Sequence, residues 1–137
     1  MKSFEITLGG WESPRAELRG HFVGHYLSAC GFIYASTGDL EIKSKGDQIV
    51  SVLAACQQTL GSSGYLSAFP VELFDRWEAL KNVSAPFYTL HKIMAGLRDM
   101  HTNANNTESL GVVLRVARWV DTWTVFWTVW RSIFPMN

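Results

Sequence analysis

The chain has 137 residues, room for one domain rather than two. Apolar residues make up 47% and charged residues 18%, which excludes a disordered chain and supplies enough for a real core. Twelve basic residues balance twelve acidic ones, so the charge gives no reason to expect nucleic acid or an anionic membrane as partner.

No uncharged apolar run reaches transmembrane length, so no transmembrane segment is expected. Met1 to Gly10 lacks the basic start and apolar stretch of a signal peptide, and the compartment stays open. Residues 1–17 read as an N-terminal loop segment, punctuated by Gly9-Gly10 and Ser13-Pro14. Phe4 to Leu8 alternates apolar and polar, but five residues without a partner do not make a strand. From Leu18 the pattern turns helical. Leu18, Phe22, Ala29, Phe32 and Ile33 fit one stripe of a 3.6-residue period, and Gly38 offers a left-handed cap. Asp39 then has the chemistry of an N-cap for a second helix. Its apolar face is Ile42, Ile49, Val50, Leu53, Ala54 and Leu60, and Gly61 to Gly64 ends it.

Tyr65 to Pro86 is a long connection holding a short helix over Val71 to Ala79. A further helix spans about Tyr88 to Asn103, with Leu90, Met94, Leu97 and Met100 or His101 as its stripe. Asn105-Asn106 breaks it, and Thr107 opens a last helix through Val120. The fold class expected is all-α. Residues 122–137 form a separate tail, in which Trp123, Trp127 and Trp130 continue an aromatic stripe begun at Trp119. Cys30 and Cys56, placed on antiparallel helices, would sit ~15 Å apart along the axis. Both are read as buried and reduced.

The two helical pairs look like copies. His25-Tyr-Leu-Ser-Ala29 aligns with His91-Lys-Ile-Met-Ala95 at an offset of 66, and Gly38 to Glu41 aligns with Asn105 to Glu108 at an offset of 67. A hairpin repeating at such a period points to a helical array, in which each apolar stripe needs a neighbouring hairpin to cover it.

Chemistry concentrates in Glu17 to Tyr26. Glu17, His21 and His25 stand four residues apart and would share one helix face. Gly20 and Gly24, in the same helix, suggest close approach of a backbone or a ligand. His21 and His25 have the spacing of a metal pair, but Phe22 stands where a zinc-protease helix needs Glu, and no metal is assigned to them. His91 repeats the place of His25, and radially stacked hairpins would aim both at one pocket. Gly64 to Pro70 with Phe74 to Trp77 reads as an aromatic loop, either a carbohydrate platform or a hydrophobic lid. Glu12, Glu17, Glu72, Asp75 and Glu78 are carboxylates of the type that glycoside hydrolysis needs in pairs.

At these residues a family pattern emerges. Gly10-Trp-Glu12, Glu17-Leu-Arg-Gly-His-Phe-Val-Gly-His-Tyr-Leu-Ser-Ala29, Gly64 to Pro70, Phe74-Asp-Arg76 and Ala85 to Leu97 resemble the N-terminal barrel segment of GH127-type glycoside hydrolases. These are the β-L-arabinofuranosidases, with the related GH146 group, and the closest likeness is to plant-type members. The resemblance covers about Gly9 to Asp121 and implies an (α/α)6 barrel, of which residues 18–121 would be two hairpins. It implies removal of terminal β-L-arabinofuranose with retained configuration. The family's zinc-held cysteine nucleophile and its general acid lie in later barrel motifs, so no catalytic residue and no metal ligand carries over to this chain. The expectation is therefore a piece of a larger enzyme, inactive by itself. The remainder of the barrel would cover its exposed apolar faces. The alternatives are a non-catalytic carbohydrate-binding helical module and a helical interaction scaffold. What carries over is the sugar pocket: His25 and His91 on the arabinose hydroxyls, with His21, Glu17, Trp11 and Tyr88 lining or bracing it. Asn82-Val-Ser84 and Asn105-Asn-Thr107 have the spacing of glycosylation sequons, which matter if a parent protein is secreted.

Overall fold

A computed structural model describes residues 10–133, with side chains described as far as residue 122. A single 3-10 turn, Gly10–Glu12, precedes five helices: α1 (His21–Thr37), α2 (Leu40–Thr59), α3 (Glu72–Glu78), α4 (Pro86–Ala104) and α5 (Thr107–Ile133). No strand occurs among the described residues. The alternating segment Phe4 to Leu8 lies outside them, as do the side chains of Trp123, Trp127 and Trp130. Among the described residues no helix is long and apolar enough to cross a membrane.

α1–α2 and α4–α5 are hairpins with the same turn chemistry. Gly38 ends α1 in the left-handed region (φ 71°), its N–H bonded to Tyr34 O at 2.8 Å. Asp39 then accepts from the N–H groups of Glu41 and Ile42 at 2.8 and 3.2 Å. At the equivalent places Asn105 is left-handed (φ 55°) and Asn106 Oδ1 accepts from Ser109 N at 2.8 Å. Asn replaces Gly because its short polar side chain tolerates that conformation. The repeat in the sequence is thus a repeat of local structure.

The hairpins pack side by side, α1 on α4 and α2 on α5. Gly24 lies against the backbone of Lys92 and Ile93, and Gly31 against Asp99, so α1 and α4 run parallel. A Cβ on Gly24 would overlap the Lys92 carbonyl, and one on Gly96 would overlap Gly24. On the other side, Gln57 of α2 is fully buried and fully satisfied. Its amide donates to Gly64 O at 2.7 Å and Val112 O at 3.3 Å, and its oxygen accepts from Arg115 Nε at 2.6 Å. Gln57→Leu keeps the volume but strands those partners. It should lower unfolding free energy by about 2 kcal/mol, read from urea midpoints at constant m-value.

Four expectations change here. The stripe Leu18, Phe22, Ala29, Phe32, Ile33 is not the buried face of α1: Phe22 is 60% exposed and Phe32 57%. The buried face is Gly24, Leu27, Cys30 and Gly31, because helices in backbone contact bury their smallest residues. Leu60 is exposed at the end of α2, and Cys56 is exposed rather than buried, although both cysteines are free. Gly20 is not inside α1 but precedes it as a left-handed N-cap (φ 89°).

The connection from Gly64 to Pro86 folds inward as core. Phe74 is fully buried, its ring centroid 5.0 Å from Phe87, 5.1 Å from Trp119, 6.0 Å from Phe69 and 6.1 Å from Tyr65. The Tyr65 hydroxyl donates to Phe69 O at 2.5 Å, and burial pushes its pKa up to about 12. Tyr65, Phe69 and Phe74 are therefore core rather than a sugar platform or a lid, while Trp77 packs on Phe87 and stays partly exposed. The last helix continues past Val120 to Ile133.

Candidate functional site

α1 begins without a side-chain cap of its own, since Gly20 has none to offer. The cap comes from the 3-10 turn. Glu12 Oε2 accepts from Gly20 N at 2.7 Å, and Oε1 accepts from Phe22 N at 3.2 Å. A carboxylate placed on free N–H groups at a helix start also meets the positive end of the helix dipole. The same Oε1 lies 2.9 Å from His21 Nδ1.

His21 is the centre of a chain of rings. Its centroid lies 5.9 Å from His25 in an edge-on arrangement, 6.0 Å from Tyr88 and 6.3 Å from Trp11. The Lys92 ammonium stands 5.2 Å from the Tyr88 ring centroid. Trp11, His25 and Tyr88 are exposed around the half-buried His21. The structure thus brings four of the residues singled out from sequence, Trp11, His21, His25 and Tyr88, onto the paired starts of α1 and α4. Such a surface offers apolar ring faces beside nitrogen and hydroxyl groups that both donate and accept hydrogen bonds.

His91 also lies in the first third of its helix and is exposed. It opens onto a groove of about 500 Å³ between α4 and α5, with Met94, Arg98, His101, Leu110 and Leu114. His25 and His91 therefore stand at the same end of parallel helices, His25 against His21 and His91 at the groove.

Glu17 does not share a helix face with His21 and His25, because α1 starts only at His21. Its carboxylate is a clamp: Oε1 accepts from Arg76 at 2.6 Å and Oε2 from Ser84 N at 2.8 Å, and Arg76 also donates to Asn82 O. The Ser84 N–H, followed by Arg76, holds the Glu17 carboxyl below its ordinary 4.5. A group lowered in the folded state contributes stability that is whole above the ordinary value and lost as pH falls through the lowered one. Glu17→Gln should therefore lose less stability than the native chain between pH 7 and pH 3, read as the shift in urea midpoint.

Sequence reading passed over Glu12 as a pocket residue, naming it only as one carboxylate among several. A cap supplied from eight residues upstream leaves no local signature, unlike Asp39, which caps its own helix. Cys30 is buried in the core, and that burial raises its thiol pKa, which suits packing rather than nucleophilic attack. Among the described residues no three His, Cys, Asp or Glu side chains are grouped to hold a metal ion.

One family matches the chain: its description is "Beta-L-arabinofuranosidase, GH127 catalytic domain", and the match covers residues 1–127. No curated protein matches.

Proposed function

Because the chain belongs to the GH127 β-L-arabinofuranosidase catalytic-domain family, a family of glycoside hydrolases acting on carbohydrate, we propose that the ring cluster at the starts of α1 and α4 receives a terminal β-L-arabinofuranosyl residue. The family match supports this reading, and the ring cluster is the surface we assign to it. In this reading His25 beside the rings and His91 at the neighbouring α4–α5 groove each offer a hydroxyl a donor or an acceptor, Trp11 and Tyr88 offer ring faces, and Glu17 braces the loop beside them through Arg76.

The reaction served is release of that residue with retained configuration, which needs a nucleophile and an acid flanking one bond. The described residues fit recognition better than cleavage. Glu12 is committed to the α1 N-terminus and Glu17 to Arg76 and Ser84. Cys30 is sealed in the core. The zinc that the family resemblance implies does not fit these residues either, since no donor set converges among them. The exposed apolar residues Phe22, Phe32 and Ile33 on α1, with Leu110 and Leu114 on α5, are the faces that neighbouring hairpins of a complete toroid would cover.

Titration of the chain with methyl β-L-arabinofuranoside, followed by ligand-observed NMR, tests the reading. His25→Ala and His91→Ala should each weaken binding by about tenfold, as lost hydrogen bonds to a sugar do. No binding by the native chain, or binding by both variants as tight as the native chain's, would sink it.

A further inference from the structure

We infer that Glu12 is a positioning residue that fixes the tautomer of His21, so that the ring presents Nε2 as a hydrogen-bond acceptor to a sugar hydroxyl. The inference rests on the sugar reading above for its ligand, but on geometry alone for its first half.

His21 Nδ1 has two neighbours within hydrogen-bonding distance: Leu18 O at 2.7 Å and Glu12 Oε1 at 2.9 Å. A backbone carbonyl and an ionised carboxylate are both acceptors with nothing to donate. The nitrogen facing them must therefore carry the proton. In the neutral imidazole the remaining nitrogen then has a free lone pair and no hydrogen. Nε2 is on the opposite edge of a ring whose side chain is only 12% exposed, among Trp11, His25 and Tyr88. An acceptor in that place selects a donor, and a sugar hydroxyl is one.

Glu12 can do this only as a carboxylate. Its two oxygens receive three donors: Gly20 N–H, Phe22 N–H and the His21 ring. An amide has one oxygen and one NH2 group, so either orientation of a glutamine sets a donor against a donor. With the NH2 toward His21, only the Leu18 carbonyl would still favour a proton on Nδ1, and the Nε2–H form would compete with it. The start of α1 and the polarity of the ring are therefore set by one side chain, which belongs to the segment before the helix.

Long-range 1H–15N spectra of the full chain, labelled with 15N and held at a pH where imidazoles are neutral, read the tautomer directly. The His21 signals are assigned by their loss in His21→Gln. The native chain should show His21 protonated at Nδ1. In Glu12→Gln the Nε2–H form should grow in, and affinity for methyl β-L-arabinofuranoside should fall roughly tenfold. A native His21 protonated at Nε2 overturns the inference, as does a folded Glu12→Gln chain with unchanged tautomer and affinity. Should Glu12→Gln fail to fold, Glu12→Ala is read in its place, since it too leaves the Leu18 carbonyl as the acceptor at Nδ1, and an unchanged tautomer there overturns the inference. A native chain showing an Nδ1–H form that the Glu12 variant shifts, but no sugar binding, would sink the sugar reading and leave the role of Glu12 in place.

Discussion

Gly24→Ala should be among the most destabilising single changes in the chain, lowering unfolding free energy by about 3 kcal/mol or more. The added methyl meets the Lys92 carbonyl and the Ile93 nitrogen, which are backbone and cannot rotate away. α1 and α4 would have to part, and the contact between Gly96 and Gly24 would open with them. Gly31→Ala is the milder comparison, because its Cβ would stand 2.9 Å from Asp99 O. Gly38→Ala meets nothing, and should lose only about 1 kcal/mol for its left-handed backbone. Urea midpoints of the three variants should fall in that order. A Gly24→Ala chain as stable as Gly38→Ala would refute the backbone contact.

Phe74→Ala should lose about 3–5 kcal/mol. The ring is fully buried and meets Tyr65, Phe69, Phe87 and Trp119, so truncation opens a cavity lined by aromatics that cannot all collapse into it. Phe74→Leu fills much of that space and should lose clearly less. Thermal unfolding of both variants, followed by near-ultraviolet circular dichroism, reads the effect and the loosening of the cluster together. Equal losses would mean that refilled bulk recovers nothing, and that the ring's own contacts rather than the cavity carry the effect.

Helix order and both hairpin turns were legible because their signals are local. Asp39 caps the helix it starts, Gly38 ends the one before it, and Asn105-Asn106 repeats the pair. The family was legible from several motifs in order. The buried face of α1 was not. Its large apolar residues, Phe22, Phe32 and Ile33, point outward, while Gly24 and Gly31 face α4. Hydrophobic periodicity weighs side chains, and an interface made by their absence carries almost no weight in it. The start of α1 was misplaced for a related reason: Leu18 continues the apolar pattern, but the left-handed backbone at Gly20 puts it outside the helix. Within the site, His21 and His25 could be singled out by residue type and spacing, and Trp11 and Tyr88 through the family's motifs. The Glu12 and Glu17 contacts could not, since their partners are brought in by folding: Arg76 lies 59 residues from Glu17 and Ser84 lies 67.

The glycine contact between α1 and α4 also sets the order in which the molecule can assemble. Gly24 and Lys92 are 68 positions apart, so closing the chain between them carries an entropic barrier of about 4 kcal/mol beyond a constant term. Each hairpin can form early from neighbouring residues, α1 against α2, but the glycine face of α1 has no partner until α4 exists. During synthesis the first hairpin therefore waits, its strip of small residues uncovered, for roughly as long as it takes to make the second. A helical protein that would fold fast from local contacts is held to the pace of one long-range docking step.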